Sequence, residues 1–282
     1  MQDDSGLVSK ITSVFRAYAA GDAFGVAHEF VDHPVKNVEN VLLAKDGWPY
    51  GGVSDDTMLT LLTVLTLSEN SPDEAAAKFI SELRLAVPHL RGLGPTTKAA
   101  LGLEVNAHEK HLVGMTNGAM MRCALVGMAF PLSKSSERDV WVKSLAASTH
   151  SDPRAISCAQ IAASLFSDAV ENGETNSIES LVSKEFSDWK PSASVISLDP
   201  IETLGAVVYV AKNSITTVQA FVGACELGGD TDTVAALSGA LVTARRGEAS
   251  EFESISWLAD IAWHEIPTVK SAIDVVMARR LK

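Results

Sequence analysis

The chain has 282 residues, 46% of them hydrophobic and 6% aromatic, which supplies one large core or two small ones. A mix rich in Ala, Leu, Val and Ser and poor in aromatics favours closely packed helices over a β-sandwich. The formal net charge of −12 excludes a general affinity for phosphate backbones, so nucleic acid enters only as a modified substrate, while a nucleotide bridged by a cation stays admissible because the ion inverts the local sign.

The acidic opening Met1-Gln2-Asp3-Asp4-Ser5-Gly6 lacks the charged-then-apolar pattern of a secretion signal. Residues 5–20 predict a first helix with Leu7, Ile11, Val14, Phe15 and Tyr18 on one face. It runs into Gly21-Asp22-Ala23-Phe24-Gly25-Val26-Ala27-His28-Glu29-Phe30. Asp22 reads as a cap after Gly21. Glu29, beside Val26, Ala27 and Phe30, reads as a partly buried carboxylate that needs a partner, and a cation suits it. Residues 31–53 read as an irregular flap, with Pro34, Trp48-Pro49 and Gly51-Gly52. Next, Gly51-Gly52-Val53-Ser54-Asp55-Asp56-Thr57 opens a run with Leu59, Leu61, Leu62, Val64, Leu65 and Leu67, apolar nearly all round and therefore central.

A helix over 71–90 opens on Ser71-Pro72, with proline in its favoured first-turn place. Gly92-Leu93-Gly94-Pro95-Thr96-Thr97 turns into a helix at about 96–107, and its glycines point to close backbone approach, by a ligand or by another helix. Within 114–130, Thr116-Asn117-Gly118 is turn chemistry ahead of a helix start, where backbone N–H groups can cradle a phosphate. Arg122 follows, a core arginine expected to pair with an acid. A helix over 135–150 ends on His150, in a place usual for a structural cap, and Ser151-Asp152-Pro153-Arg154 opens the helix over 152–172. Residues 173–198 read as a polar surface excursion, 199–225 as two short helices, and 250–280 as two more carrying Trp257 and Trp263. Cys123, Cys158 and Cys225 lie in apolar helical settings with no CxxC pair, which reads as buried free thiols in a reducing, cytoplasmic setting. No apolar run is long enough to span a bilayer.

The stretch 226–247 carries the strongest signal. Val234, Leu237, Leu241 and Val242 fall at helical spacing among small residues. Ahead of them stand Gly228-Gly229 and then Asp230-Thr231-Asp232-Thr233. Taken alone, the block is either an N-cap with a solvated acidic turn or a set of oxygens for a hard cation. Its echo at Gly51–Thr57 favours the cation: two blocks put four carboxylates at two core helix starts, and if the starts converge the charges repel unless a cation sits between them. The expected fold class is all-α, a compact single-domain orthogonal helical bundle over 1–282 with roughly a dozen helices around a metal cleft.

Gly21-Asp22-x-x-Gly25-x-x-x-Glu29, Ser54-Asp55-Asp56-Thr57, Asn117-Gly118-Ala119-Met120-Met121-Arg122, Thr149-His150-x-x-Pro153 and Gly228-Gly229-Asp230-Thr231-Asp232-Thr233 together resemble the ADP-ribosylglycohydrolase family, which includes the dinitrogenase reductase-activating glycohydrolase. The resemblance implies a site for two Mg2+ ions, with Mn2+ as a substitute, held by Ser54, Asp55, Asp56, Asp230, Asp232 and Thr233. It implies catalytic roles for Glu29, Asp55 and Asp56, with Glu29 beside the metals gating the cleft. It implies contacts to ADP-ribose from Gly94, Asn117, Gly118, Ala119, Met120, His150, Gly228 and Gly229. Family members more often carry Thr where this chain has Ser54, and either hydroxyl can coordinate. The nitrogenase-regulating members place a catalytic Asp in the segment aligned with Gly92–Thr97, where this chain has no acid. The implied activity is release of ADP-ribose from a modified protein side chain or another conjugate. The diphosphate would be held by backbone N–H groups near Gly118 and Gly94 without Lys or Arg. The alternatives are a non-catalytic ADP-ribose binder or crystallin-like structural member, or a metal-dependent nucleotide phosphohydrolase.

Overall fold

A computed structural model describes residues 4–30, 33–246 and 252–282. The expectations for residues 1–3, for Val31 and Asp32 in the flap, for Gly247 closing the 226–247 stretch, and for residues 250–251 lie outside the described residues. The α-helices are α1 (Asp4–Gly25), α2 (Asp55–Leu65), α3 (Pro72–Ala86), α4 (Pro95–Ala100), α5 (Gly118–Cys123), α6 (Ser135–Ala147), α7 (Pro153–Asn172), α8 (Ile178–Leu181), α9 (Lys184–Ser187), α10 (Pro200–Asn213), α11 (Thr217–Leu227), α12 (Thr231–Arg246) and α13 (Val269–Arg280). The chain is all-α: extended pairing among the described residues is one isolated bridge, between Ile196 and Gly229. None of the described helices is long and apolar enough to cross a membrane.

Local chemistry explains the boundaries. Ser71, Asp152 and Asp199 each accept a hydrogen bond from a first-turn N–H, and each precedes a proline at the first helical position. The cap satisfies a donor that the helix cannot, and the proline sits where its missing N–H costs nothing.

α12 is the central rod. Every residue from Thr231 to Ala244 is buried, with α1, α11, α10 and α7 packed around it. Small side chains on α12 let these neighbours come close. A second layer joins α2 to α5 and α13, and α3 to α6. Residues from Ile11 to Met277 belong to one contiguous buried cluster. Phe24, Phe221 and Trp257 stack within it, Phe24 lying 5.2 Å from the Trp257 ring centroid.

Several expected boundaries shift. α1 continues through Gly21 to Gly25, five residues past the expected end, because Gly21 and Gly25 are where α12 crosses it. The helix expected over 96–107 stops at Ala100, and the one expected to start after the Thr116–Gly118 turn is a short α5 followed by 3-10 turns over 124–129. Over 250–280, Phe252 and Glu253 are helical, 3-10 turns follow at 258–260 and 263–265, and then comes α13. Met58, Leu62 and Leu65 are only partly buried, so α2 keeps one half-covered side. The irregular stretch after Phe30 is tied down: Val35 donates to Glu226 O, and Trp257 donates to Asn40.

Candidate active site

The starts of α2 and α12 converge. Ser54 caps α2, its Oγ accepting from Asp56 N at 3.0 Å, and Asp55 N donates to Arg91 O at 2.7 Å. α12 follows Gly228 and Gly229, both left-handed at φ +69° and +78°. A side chain on Gly229 would strike the Ile196 backbone, and that closeness lets Asp230 N donate to Ile196 O and Phe30 N donate to Gly229 O. Across the gap, Thr233 Oγ lies 2.8 Å from Asp56 Oδ2 and 3.2 Å from Asp230 Oδ1, so one hydroxyl links the two starts. Carboxylate oxygens of Glu29, Asp230 and Asp232 all fall within 4.8 Å of one another. The second oxygen of Asp230 accepts from Asn117 Nδ2 at 2.5 Å, and the same amide donates to Thr203 Oγ.

The electrostatics are one-sided. Asp55, Asp56, Asp230 and Asp232 are buried, as is Asp22 behind them. Burial pushes the Asp55 carboxyl up to about 8, with the Asp22 and Glu29 charges adding to it. Burial first, then the charge of Asp232, holds Asp56 and Asp230 well above the usual carboxylate range. Burial first, then Glu29 and Asp22, does the same for Asp232. Burial also raises Glu29, against the pull of Lys45, whose Nζ lies 2.6 Å from Glu29 Oε2 and over the Trp48 ring. Among the described residues Lys45 alone of the lysines and arginines makes an ion pair with these acids. Such crowding holds only with protons or cations between the carboxylates. Donors that are all oxygen fit hard divalent cations such as Mg2+ or Mn2+, and Glu29, Asp230 and Asp232 are the tightest trio for one.

The acids open into a cleft of about 290 Å3 walled by the 92–98 turn, by Thr116–Gly118 and by Met121. Lys98, on α4, and Glu109, on the irregular stretch after it, also line it. A second, mainly apolar pocket of about 370 Å3 adjoins it, with Leu112, Met115, Val195 and Ile196 in its wall and Arg154 beside them. Phe30, Thr116, Leu198 and Asp230 line both spaces. Phe30 is 64% exposed and left-handed at φ 60°, an uncommon conformation for a bulky residue, so its ring stands at the junction of the two spaces.

Glu29, Asp55, Asp56, Asp230, Asp232 and Thr233 line the cleft, with Gly94, Asn117 and Gly118. Gly229 lines the apolar pocket. Ser54 is used as a cap behind the cleft wall, and the side chains of Ala119, Met120 and His150 are fully buried. At Gly92 a Cβ would come within 2.9 Å of Asp55 Oδ1, so that position of the 92–97 segment has no room for an acid.

His150 lies under Gly118 in a hydrogen-bonded chain. Arg122 donates to Thr149 Oγ at 2.8 Å, which leaves the Thr149 proton for His150 Nδ1 at 2.8 Å. Nε2 therefore carries the ring proton and donates to Thr116 Oγ at 3.1 Å; Thr116 donates to Thr96, and Thr96 to Leu112 O. Burial, then the Arg122 charge, lowers His150 to about 3, so the ring stays neutral. Among the described residues Arg122 has no acid partner, contrary to expectation. It donates to Leu145 O and Ala146 O at the end of α6 and lies 4.2 Å from the Phe79 ring centroid, so helix-end carbonyls take the place of a carboxylate. Asp22 does not cap its own helix; it lies within α1 and accepts from the start of α2.

The family model described as ADP-ribosylglycohydrolase matches residues 3–280. A solved structure described as an "ADP-ribosylglycohydrolase-related protein complex" superposes with a TM-score of 0.70 over 98% of each chain at 20% identity, which is a likeness of fold. A comparison with curated protein sequences gives no match.

Proposed function

Because the chain belongs to the ADP-ribosylglycohydrolase family, we propose that it is a magnesium-dependent hydrolase releasing ADP-ribose from a conjugate by cleaving the bond at the anomeric carbon of the distal ribose. The observation that carries this reading is the pairing of two unlike spaces: an oxygen-lined, cation-demanding cleft opening beside an apolar pocket. A molecule with a polar sugar at one end and a flat base at the other matches both. Glu29, Asp55, Asp56, Asp230 and Asp232 would hold the ions, together with Thr233, whose hydroxyl lies between Asp56 and Asp230. When bound, Mg2+ supplies positive charge for an anionic diol-bearing substrate and lowers the pKa of water.

The chain's own residues do the rest. In the reaction the bond from the anomeric carbon to the acceptor breaks and a water oxygen takes its place. One water proton goes to a carboxylate, and that carboxylate returns a proton, directly or through solvent, to the leaving atom, so that water is divided between the two products. The transition state is oxocarbenium-like, as in other glycoside hydrolysis. Glu29 is the proton acceptor of this reading, since burial raises its carboxyl above the usual range, against the pull of Lys45, and so makes it the stronger base. α4 and α5 have no side-chain caps, so their first-turn N–H groups are free of side-chain competitors for the diphosphate. Lys98 adds the positive charge that the sequence alone did not place there. Phe30 offers its ring face between sugar and base.

Incubating the protein with ADP-ribosylated arginine, serine and nucleic-acid ends, with Mg2+ or with a chelator, tests this reading. Free ADP-ribose appearing only with Mg2+, and lost in Asp55→Ala, is the expected result. AMP as product would assign a phosphohydrolase instead, and calorimetric heat with ADP-ribose but no turnover would assign a binder.

A further inference from the structure

Asp22 is a fully buried carboxylate that forms no ion pair among the described residues and does not line the cleft. Its oxygens are nonetheless taken up. Ser54 N donates to Oδ1 at 3.0 Å and to Oδ2 at 3.2 Å. Thr57 N donates to Oδ2 at 3.0 Å, and Thr57 Oγ does so at 2.5 Å. Ser54 is the N-cap of α2 and Thr57 the third residue of its first turn. A helix leaves the N–H groups of its first turn unpaired, and here a second helix supplies the acceptor. The two residues between the gripped positions are Asp55 and Asp56. Fixing Ser54 and Thr57 therefore fixes the direction in which both acids leave the helix.

The same turns of α1 meet the other acid block. A Cβ at Gly25 would lie 2.5 Å from Asp232 Cα, and one at Gly21 would lie 2.5 Å from Ala235 O. Thr231 Oγ donates to Gly25 O at 2.9 Å. The backbone of α1 thus touches the first turn of α12 with nothing between, while one side chain of α1 holds the first turn of α2. Glu29 follows after one 3-10 turn. A single short span, 21–29, registers Asp55 and Asp56 on one helix start, Asp230 and Asp232 on the other, and Glu29 against one another.

We infer that Asp22 is a positioning residue which, with the close contact at Gly25, sets the separation of the two acid-bearing helix starts and so the affinity of the cleft for divalent cations. The inference rests on the reading of the cleft as a cation site. A carboxylate is required because both of its oxygens face donors; an amide of the same size would turn its NH2 toward the N–H of Ser54 or of Thr57. Outer groups that orient ligands are typically worth about 10- to 100-fold in metal affinity.

The test is Mn2+ binding to the purified full chain at fixed pH, followed by electron paramagnetic resonance of the free ion, with melting temperatures of the metal-free proteins measured in parallel. Asp22→Asn is expected to raise the Mn2+ dissociation constant by about 10- to 100-fold while the far-UV circular dichroism stays helical. Thr57→Val, which removes one of the donors, is expected to move it by a few-fold in the same direction, and it decides the matter should Asp22→Asn fail to fold. Folded variants with a lower melting temperature and Mn2+ affinity within twofold of wild type would reduce Asp22 to a packing role and overturn the inference alone. A wild-type protein that takes up no Mn2+ would overturn the cation site and the inference with it.

Discussion

The starts of α2 and α12 crowd four aspartates against Glu29, with hydroxyls, one amide and one lysine as their partners. A short distance away, behind Asn117 and Gly118, Arg122, Thr149, His150, Thr116 and Thr96 form a network in which no buried polar side-chain atom lacks a partner. Both regions are polar and buried, yet one is balanced and the other is not. The balanced network ends in backbone carbonyls and contributes rigidity to the wall of the cleft. The unbalanced one is stable only with something added, and a region whose self-repulsion is relieved by a ligand is what a binding site of high charge requires.

The sharpest way to break this comparison is Asp232→Asn. Removing one cation-holding charge should lower ADP-ribose release by about 10²–10³-fold, the scale for losing a group aimed at developing charge. The metal-free protein should nonetheless become more stable, because a buried carboxylate held well above its usual range opposes folding whenever it is ionised. The sign is checkable by pH. The raised carboxyls keep protons that the unfolded chain releases, so metal-free stability is full below about pH 4 and declines as pH rises toward the value of about 8 at Asp55. Mg2+ competes with those protons, so its gain in melting temperature should be larger at pH 8 than at pH 5.5. Thermal scans with and without Mg2+ read both effects. A loss of metal-free stability in Asp232→Asn would mean that the acids are not in conflict.

Arg122→Met probes the other side. Leu145 O would keep its bonds from Ser148, and Thr149 Oγ its bond to His150, but each would lose a charged donor, and a hydrogen bond to a charged group is worth about 1.5–3 kcal/mol. A melting temperature lower by something on the order of 5 °C or more is expected, with Mn2+ affinity within about twofold of wild type. Equal damage to metal binding would show that the two regions are one cooperative unit.

How far these regions could be read in the sequence follows from how local their causes are. The two Gly-Gly and oxygen-rich blocks announce themselves because cap chemistry, glycine turn and apolar run all lie within about ten residues, and the all-α class follows from the same periodicities. The role of Asp22 was not legible, since its donors are more than thirty residues away on another helix and its own neighbourhood looks like an ordinary cap. Arg122 misled for a related reason: an arginine in an apolar run implies an acid, but the end of α6 supplied carbonyls instead. His150 marks a family position by its motif, and only the fold places it beneath Gly118 instead of on the cleft wall. Lys45 and Glu109 reach the site from irregular segments, where no period ties a residue to a face, and Lys98 does so from α4, a helix of six residues too short to show one.

Phe30 sharpens the boundary between the cleft and its apolar neighbour. Phe30→Gly removes the ring and relieves a left-handed conformation that costs about 1–2 kcal/mol in an L-residue, a gain offset by the freer unfolded chain. The melting temperature should stay within about 2 °C. Affinity for ADP-ribose should fall about tenfold if the ring stacks on the ligand, matching the roughly 0.5–1.5 kcal/mol of an aromatic pair with some buried area added. Titration calorimetry separates the two quantities, and unchanged affinity would leave Phe30 a strained rim residue without a ligand role.

The smallest effect belongs to Lys45, the one point among the described residues where the unbalanced region pairs with a cation of the protein. Its ammonium contacts Glu29 and lies over Trp48, half-way out to solvent, where a single ion pair is worth little. A divalent ion seated among Glu29, Asp230 and Asp232 shares Glu29 with that ammonium, so the two compete. Lys45→Met keeps the aliphatic packing on Trp48 and removes the competitor. Mn2+ should then bind a few-fold more tightly, and the metal-free melting temperature should fall by about 1–2 °C as Glu29 loses its partner. Weaker Mn2+ binding would give the opposite meaning: the lysine would be holding Glu29 in place for the ion, and the acidic cleft would be better balanced by its own side chains than its carboxylates imply.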